Sequence, residues 1–180
     1  MLLYNSTASR TLLSDPCNDD DNPDPIGEQE VITTVEVTLT PDNGDTAVVL
    51  EYRDLDGDGG EVPILTVSGN LTAGAMYNGS ILVLNETTDP AENLSEEIEE
   101  EDDEHQFFFV VGGGLDITTS YNDQDSNGNP IGLSFTLNAN SASSGDFTVI
   151  LRHVPNKPNN GISDAGGVTN IEVTFPITVE

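Results

Sequence analysis

The chain has 180 residues, enough for one domain with a tail, and 35% of them are hydrophobic. Its formal net charge is −29, from 33 acidic and 4 basic residues. Such a surface repels nucleic acid and anionic lipid headgroups, and it attracts cations and basic ligands. A single cysteine excludes an internal disulfide, and no apolar run is long enough for a transmembrane helix.

The N-terminal part of the sequence carries the single cysteine, Cys17. Residues 1–16 are similar to a signal peptide that lacks a continuous apolar core. Acidic residues and prolines follow the cysteine as far as Pro25, a composition that extends a chain and buries nothing. We therefore expect an N-terminal segment over 1–27, with lipid attached at Cys17, and a folded domain over 28–180. The alternative is a disordered tail without lipid.

Alternating apolar residues, separated by turns rich in Asn, Asp and Gly, predict strands along the whole domain. About nine strands at regular spacing indicate an all-β fold, an antiparallel β-sandwich that is Ig-like or related. In the last strand, Pro176 indicates a sheet edge or a bulge. The expected strands are 31–40, 46–53, 62–68, 75–86, 105–111, 115–121, 131–139, 146–154 and 168–180.

One segment breaks the strand pattern and predicts a short acidic helix over 90–101. Asp89 is suited to cap it, Pro90 fits the first helical position, and Glu92 fits a capping box. Acidic residues crowd its end, where the negative pole of the helix dipole favours cations. His105 and a strongly apolar strand follow directly.

The loop after the second strand has the first half of a calcium-binding motif. Asp54, Asp56 and Asp58 alternate, as oxygen ligands that converge on one cation do. The twelfth position is Leu65 instead of the usual glutamate, and Glu61 is the candidate substitute. The loop therefore predicts a weak Ca²⁺ site, with an ordinary hairpin turn as the alternative.

A second loop repeats this pattern with Asp123, Asp125 and Asn127. Its twelfth position is Ser134, so this motif is incomplete too. Two such loops in one chain predict two weak Ca²⁺ sites, and the alternative is again a pair of turns.

The chain has two histidines, His105 and His153, and both stand at the ends of core-facing rows. Alternation along each strand places His105 on the face of Phe107 and His153 on that of Leu151. If the two strands are neighbours, the imidazoles and the carboxylate of Glu104 form a ligand set suited to Zn²⁺, Cu²⁺ or iron. The alternative is two ordinary histidines at the rim of a core.

Catalytic motifs do not occur in the sequence. There is no GxSxG, no glycine-rich phosphate loop leads into a helix, and Cys17 lies in a tether without a catalytic partner. We therefore expect a binding or structural protein and no enzyme.

Five phrases beyond Cys17 stand out together: EYRDLDGDGG (51–60), LNETTDPAENLSEEIEEE (84–101), DEHQFFF (103–109), YNDQDSNGNPIGL (121–133) and LRHVPNKPNNG (151–161). Together they resemble small surface lipoproteins of the Bacteroidota, of the flavobacterial type. Members of this family are sometimes labelled type 1 periplasmic binding fold superfamily proteins. That label implies a two-lobed α/β protein, whereas the strand pattern here predicts all-β structure.

The resemblance implies a location in the cell envelope, at the outer-membrane surface through a lipid anchor or outside the cell. It makes an outer-membrane transporter a candidate partner, and it supplies no ligand. Together with the histidines, it leads us to expect a binding module for a metal ion or a metal-bearing ligand, accessory to uptake. The alternative is a structural or adhesive envelope module whose loops are stabilised by Ca²⁺.

Overall fold

The computed structural model describes residues 30–57 and 59–180, which form ten strands and two short helices. The strands pair antiparallel within two sheets, which confirms the expected all-β sandwich-like fold. The strands are β1 (Thr34–Pro41), β2 (Val48–Arg53), β3 (Ile64–Val67), β4 (Met76–Asn85), β5 (Glu92–Asn93), β6 (His105–Gly112), β7 (Ile117–Tyr121), β8 (Ser134–Ala139), β9 (Ser143–His153) and β10 (Val168–Val179). The helices are α1 (Leu94–Glu100) and α2 (Ile162–Ala165).

The larger sheet has the strand order β3-β2-β1-β4-β8-β7, and β5 pairs with β4 beside this path. The smaller sheet has the order β10-β9-β6. The nine expected strands correspond to nine of these ten, and β5 is the strand that the sequence did not predict. The domain boundary at residue 27 and the lipid site Cys17 lie outside the described residues. Within the described part of the chain, no helix is long and apolar enough to cross a membrane.

The core lies between the two sheets and is built from the faces that alternation predicted. Val37 and Leu39 of β1 are fully buried, as are Phe107 of β6 and Phe147 of β9. These side chains belong to one continuous apolar cluster with contributions from both sheets. Burying such large side chains stabilises a fold by about 1.5–3 kcal/mol each, which makes this cluster the main support of the sandwich.

The acidic helix begins later than its sequence pattern predicted. Its N-cap is Asn93, whose side-chain oxygen accepts a hydrogen bond from the backbone N–H of Ser95 at 3.2 Å. The predicted capping by Asp89, Pro90 and Glu92 is wrong because the chain around Glu92 is extended and pairs with β4. Strand pairing thus takes up the residues that would have formed the first helical turn.

The smaller sheet is partly covered on its outer face by the loop that contains α2. Phe108 and Ile150 point outward from the sandwich core and pack with Ala165 of that helix in a second apolar cluster. The strand pattern of the sequence did not predict this helix. Pro176 lies in β10, an edge strand of the smaller sheet, as expected.

Candidate functional site

The two histidines are direct cross-strand partners, because β6 pairs with β9 in the register that sets His105 opposite His153. Their rings stack with centroids 4.9 Å apart and an interplanar angle of 18°. His105 is fully buried, whereas His153 lies at the rim. The condition on which the sequence would bring the two imidazoles together, that their strands are neighbours, is met.

His105 also belongs to a second group of side chains, with Glu30 and Glu101. One ring nitrogen of His105 and one carboxylate oxygen of each glutamate lie within 4.8 Å of one another. Glu30 precedes β1, Glu101 is the C-cap residue of α1, and His105 opens β6. The segment before β1 therefore meets the junction between α1 and β6, about 70 residues further along the chain, with the acceptor-rich end of α1 at the same point.

The hydrogen bond made by one ring nitrogen of His105 determines whether the other nitrogen carries a proton or a lone pair in the neutral ring. Nδ1 lies 3.2 Å from the backbone carbonyl oxygen of Glu101. Because a carbonyl only accepts hydrogen bonds, Nδ1 carries the proton. Nε2 lies 3.3 Å from Oε1 of Glu30, yet it has no aligned hydrogen-bond partner among the described residues. In the neutral ring, Nε2 therefore turns a lone pair towards a carboxylate.

Two opposing effects act on the pKa of His105. Burial of the ring lowers the pKa, but the neighbouring carboxylate of Glu30 and the backbone carbonyl of Glu101 outweigh burial and raise it above its ordinary value. Burial also raises the pKa of Glu97 on α1, and the nearby charges of Glu30 and Glu101 raise it further. The site thus concentrates negative charge around one imidazole, and a proton or a metal ion at Nε2 relieves that charge.

His153 and Glu104, which the sequence grouped with His105, form the outer side of this region. Nε2 of His153 lies 3.5 Å from Oε2 of Glu104, and the side chains are 31% and 54% exposed. Neither residue belongs to the group around His105. His153 and Glu104 therefore lie next to His105 without joining its group of candidate metal ligands. The carboxylates in that group are those of Glu30 and Glu101.

Sequence reasoning missed Glu30 and Glu101 for different reasons. Glu101 lies four residues before His105 at a predicted helix end, and this spacing was a usable signal. Glu30 is one acid among many at the start of the domain. Only the packing of the segment before β1 against β6 brings it to the histidine.

In the first calcium-type loop, Asp54, Asp56 and Glu61 line one small recess. Asp54 lies 3.3 Å from the hydroxyl of Tyr52, which donates to its Oδ2. Asp56 is exposed, and its Oδ2 accepts the backbone N–H of Glu61 at 3.2 Å. Asp58 lies outside the described residues. Asp54 and Asp56 thus have different partners.

The second calcium-type loop is closed by groups of the protein itself. The carboxylate of Asp123 accepts the backbone N–H groups of Gly132 and Ser134, each at 2.7 Å. The carboxylate of Asp125 is fully buried and lies 3.5 Å from the ammonium of Lys157, which is only 6% exposed. Lys157 thus supplies positive charge to the loop.

Asn127 and Asn129 complete this loop. The backbone N–H groups of both donate to Oδ1 of Asp125, at 2.9 and 2.8 Å. Burial alone would raise the pKa of Asp125, but these hydrogen bonds and the charge of Lys157 lower it below its ordinary value. The side chain of Asn127 is exposed and forms one wall of an open recess of about 490 Å³ beside Lys157.

No protein-family model, no curated protein and no solved structure matches this chain.

Proposed function

We propose that the chain is a binding module of the cell envelope that holds one divalent transition-metal ion at Glu30, Glu101 and His105. The observation that carries the proposal is the group of Glu30, Glu101 and His105, whose ligand atoms lie within 4.8 Å of one another, with the buried Nε2 of His105 3.3 Å from Oε1 of Glu30. A neutral imidazole nitrogen and carboxylate oxygens form a ligand set for zinc and for other first-row metals.

The surroundings of His105 resemble those of metal-binding histidines. Such histidines usually donate their other ring N–H to a carbonyl or a carboxylate, which fixes the tautomer and the ring orientation. The carbonyl of Glu101 accepts Nδ1–H in this way. Stacking of His153 on the ring further restricts its orientation. Because Glu101 is exposed, water has access to complete the coordination shell.

The envelope location rests on the sequence. Cys17 and the acidic, proline-rich residues after it are typical of an anchored, extended tether, and the family resemblance points to the same place. A metal-binding module held there by lipid would deliver its ion to an outer-membrane transporter.

The alternative is a structural or adhesive envelope module. The buried pair of Asp125 and Lys157 favours it, because this pair closes a loop with a cation that the protein itself provides. A structural module predicts no stoichiometric metal binding at His105.

Zinc titration of the full chain tests the metal proposal. In isothermal titration calorimetry, we expect one Zn²⁺ per chain, with affinity that falls at least tenfold in His105→Gln and in Glu30→Gln. Both replacements keep the side-chain volume close to native. The control is Glu172→Gln, which removes the same charge at an exposed position of β10 and should leave the affinity within about twofold.

Imidazole signals in nuclear magnetic resonance assign the binding to a residue. The chain has only two histidines, so each ring nitrogen can be resolved. Zn²⁺ should shift Nε2 of His105 far more than either nitrogen of His153. Absence of stoichiometric binding, or equal affinity in wild type and His105→Gln, would overturn the proposal and leave the structural module.

A further inference from the structure

The strand β3 forms one edge of the larger sheet. Among the described residues it pairs only with β2, in a regular antiparallel register without a bulge. Three of its four residues are exposed and the fourth is half-buried. Natural edge strands are commonly protected by charged side chains, by bulges or by a covering segment. Residues 64–67, with the sequence ILTV, contain no charged side chain, so β3 lacks the first two of these protections.

The register with β2 shows which backbone groups of β3 face outward. The N–H of Ser68, just after the strand, donates to the carbonyl oxygen of Val49 at 2.9 Å. Hydrogen-bonded and non-hydrogen-bonded pairs alternate along an antiparallel ladder. The backbone groups of Thr66 therefore face β2, and those of its neighbours Leu65 and Val67 face away from it. This edge thus offers two N–H groups and two carbonyl groups to a further strand.

Large apolar side chains are concentrated beside this edge. Val62 is 87% exposed and Ile64 is 60% exposed, and Leu55 and Leu65 are exposed as well. Single exposed apolar residues are ordinary, but neighbouring ones mark interaction surfaces. Four of them within residues 55–65 indicate a surface that a partner covers.

A small recess beside the edge combines aliphatic and acidic side chains. It has a volume of about 90 Å³, and Leu55, Val62 and Ile64 line it together with Asp56 and Glu61. Lysine and arginine side chains pack their aliphatic stems on apolar surface and keep their charged heads in a polar environment. The recess therefore suits a Lys or Arg side chain of a partner, with its stem against the aliphatic residues and its head near the carboxylates.

The remaining residues of the recess leave this preference for a cation in place. Arg53 lines the recess, but its Nε and Nη2 donate to the carboxylate of Glu86 at 2.8 and 2.6 Å. Its charge is therefore already compensated. Asp54 also lines the recess, and within the described part of the chain neither it nor Asp56 nor Glu61 has an ion pair. The formal net charge of −29 opposes a second copy of the chain here and favours a basic partner.

We infer that β3 is a docking edge for an extended basic segment of a partner protein, in which Lys or Arg alternates with aliphatic residues. The segment adds a strand to the larger sheet through the outward groups of Leu65 and Val67, and one of its cationic side chains enters the recess beside Ile64. In strand addition of this kind, main-chain hydrogen bonds supply affinity and side-chain pockets supply specificity. Docking at β3 is independent of metal binding, because none of these residues belongs to the group around His105.

The probe is a blocked nine-residue peptide in which Lys and Val alternate, titrated into the full chain by calorimetry in 0.15 M KCl. A peptide with Gly in place of Val carries the same charge and controls for general attraction to an acidic chain. We expect saturable one-to-one binding of the Lys-Val peptide, at least tenfold tighter than that of the Lys-Gly peptide. Hydrogen exchange at the amides of Leu65 and Val67 should slow in the complex. Equal affinity of the two peptides, or unchanged exchange at both amides, would overturn the inference.

Leu65→Pro removes one outward N–H and no hydrogen bond to β2, and edge strands tolerate proline at such positions. It should weaken binding of the Lys-Val peptide at least tenfold. The matched control is Thr119→Pro in β7, the opposite edge strand of the same sheet. The N–H of Asn140 donates to the carbonyl oxygen of Asp116 at 2.9 Å, so alternation turns the N–H of Thr119 away from β8. This control should keep the affinity within about twofold.

The double variant Val62→Ser, Ile64→Thr decides the outcome if Leu65→Pro fails to fold by circular dichroism. Both positions are exposed, so the replacements remove apolar contact surface without opening the core. We expect the affinity for the Lys-Val peptide to fall about fivefold or more. Native affinity in the folded double variant, or in folded Leu65→Pro, would overturn the inference.

Other occupants of the edge give a different result before any peptide is added. Residues 1–29 of the chain itself, or a second copy, would already slow hydrogen exchange at the amides of Leu65 and Val67 in the free protein. Sedimentation equilibrium would then report a monomer in the first case and a concentration-dependent dimer in the second. Either result would overturn the inference of a basic partner.

Discussion

His105 is the residue at which burial, charge and hydrogen bonding conflict most strongly. It is fully buried, yet it faces a carboxylate through a nitrogen that has no hydrogen bond to a described residue. Burial opposes protonation, whereas Glu30 and the Glu101 carbonyl favour it, and the net effect raises the pKa. A proton and a metal ion thus compete for the same nitrogen, and metal affinity should rise with pH.

The raised pKa of His105 predicts how the metal-free protein responds to pH. A raised folded-state pKa adds stability that is fully present below the unfolded value, about 6.5, and is lost as pH rises through the folded value. Relative to His105→Gln, the wild type should therefore lose stability as pH rises above about 6.5, the unfolded-state pKa, and the loss should be complete once the pH has passed the raised folded-state pKa.

Urea unfolding of both proteins at several pH values, with a chelator present, measures this difference. The predicted quantity is the slope of this stability difference with pH, which a constant offset from the lost ring does not change. Parallel stability profiles for the wild type and His105→Gln would contradict the prediction.

At the scale of elements, paired strands and turns bring together most of the site. The register of β6 and β9 alone makes His105 and His153 partners, and the end of α1 adds Glu101. Alternation in the sequence predicted both histidine faces correctly. It did not predict the pairing of β5 with β4, which shortens α1 and makes Asn93 its cap. Local capping signals at Asp89 and Pro90 were overridden by a sheet contact.

The loop that contains Asp125 should depend strongly on its internal ion pair. Asp125→Ala leaves the nearly buried ammonium of Lys157 without its carboxylate and two backbone N–H groups without their acceptor. Breaking a buried pair from one side costs about 3–5 kcal/mol. We therefore expect the free energy of unfolding to fall by about that amount in a denaturant titration.

Asp146→Ala is the matched control for this loop. It makes the same substitution at an exposed position of β9 and should change stability by less than about 0.5 kcal/mol. Equally small changes in the free energy of unfolding for the two substitutions would show that the pair of Asp125 and Lys157 does not stabilise the fold.

At the scale of the whole molecule, the chain that carries the candidate metal group has a formal net charge of −29. Such a field raises the local concentration of cations and weakens as salt screens it. Specific binding therefore has to be separated from general attraction, and the Glu172→Gln control and the Lys-Gly peptide do so. The same charge opposes adsorption to anionic lipid, so the membrane attachment proposed above requires a covalent lipid.

Lipid attachment at Cys17 is tested on the full chain expressed in a bacterium that processes lipoproteins. The wild type should incorporate labelled palmitate and sediment with membranes, and Cys17→Ser should lose both properties completely. If the two proteins fractionate equally and neither incorporates the label, Cys17 is not lipidated and the proposed function loses its lipid anchor.

The sequence by itself determined the fold class, the positions of nine strands and the two histidine rows. These follow from local periodicity, which is encoded within a few neighbouring residues. Tertiary structure alone decided that Glu30 lies beside His105 and that Lys157 lies beside Asp125. Each of these contacts joins segments far apart in the chain. A sequence with 33 acidic residues does not indicate which of them will be brought beside a buried nitrogen.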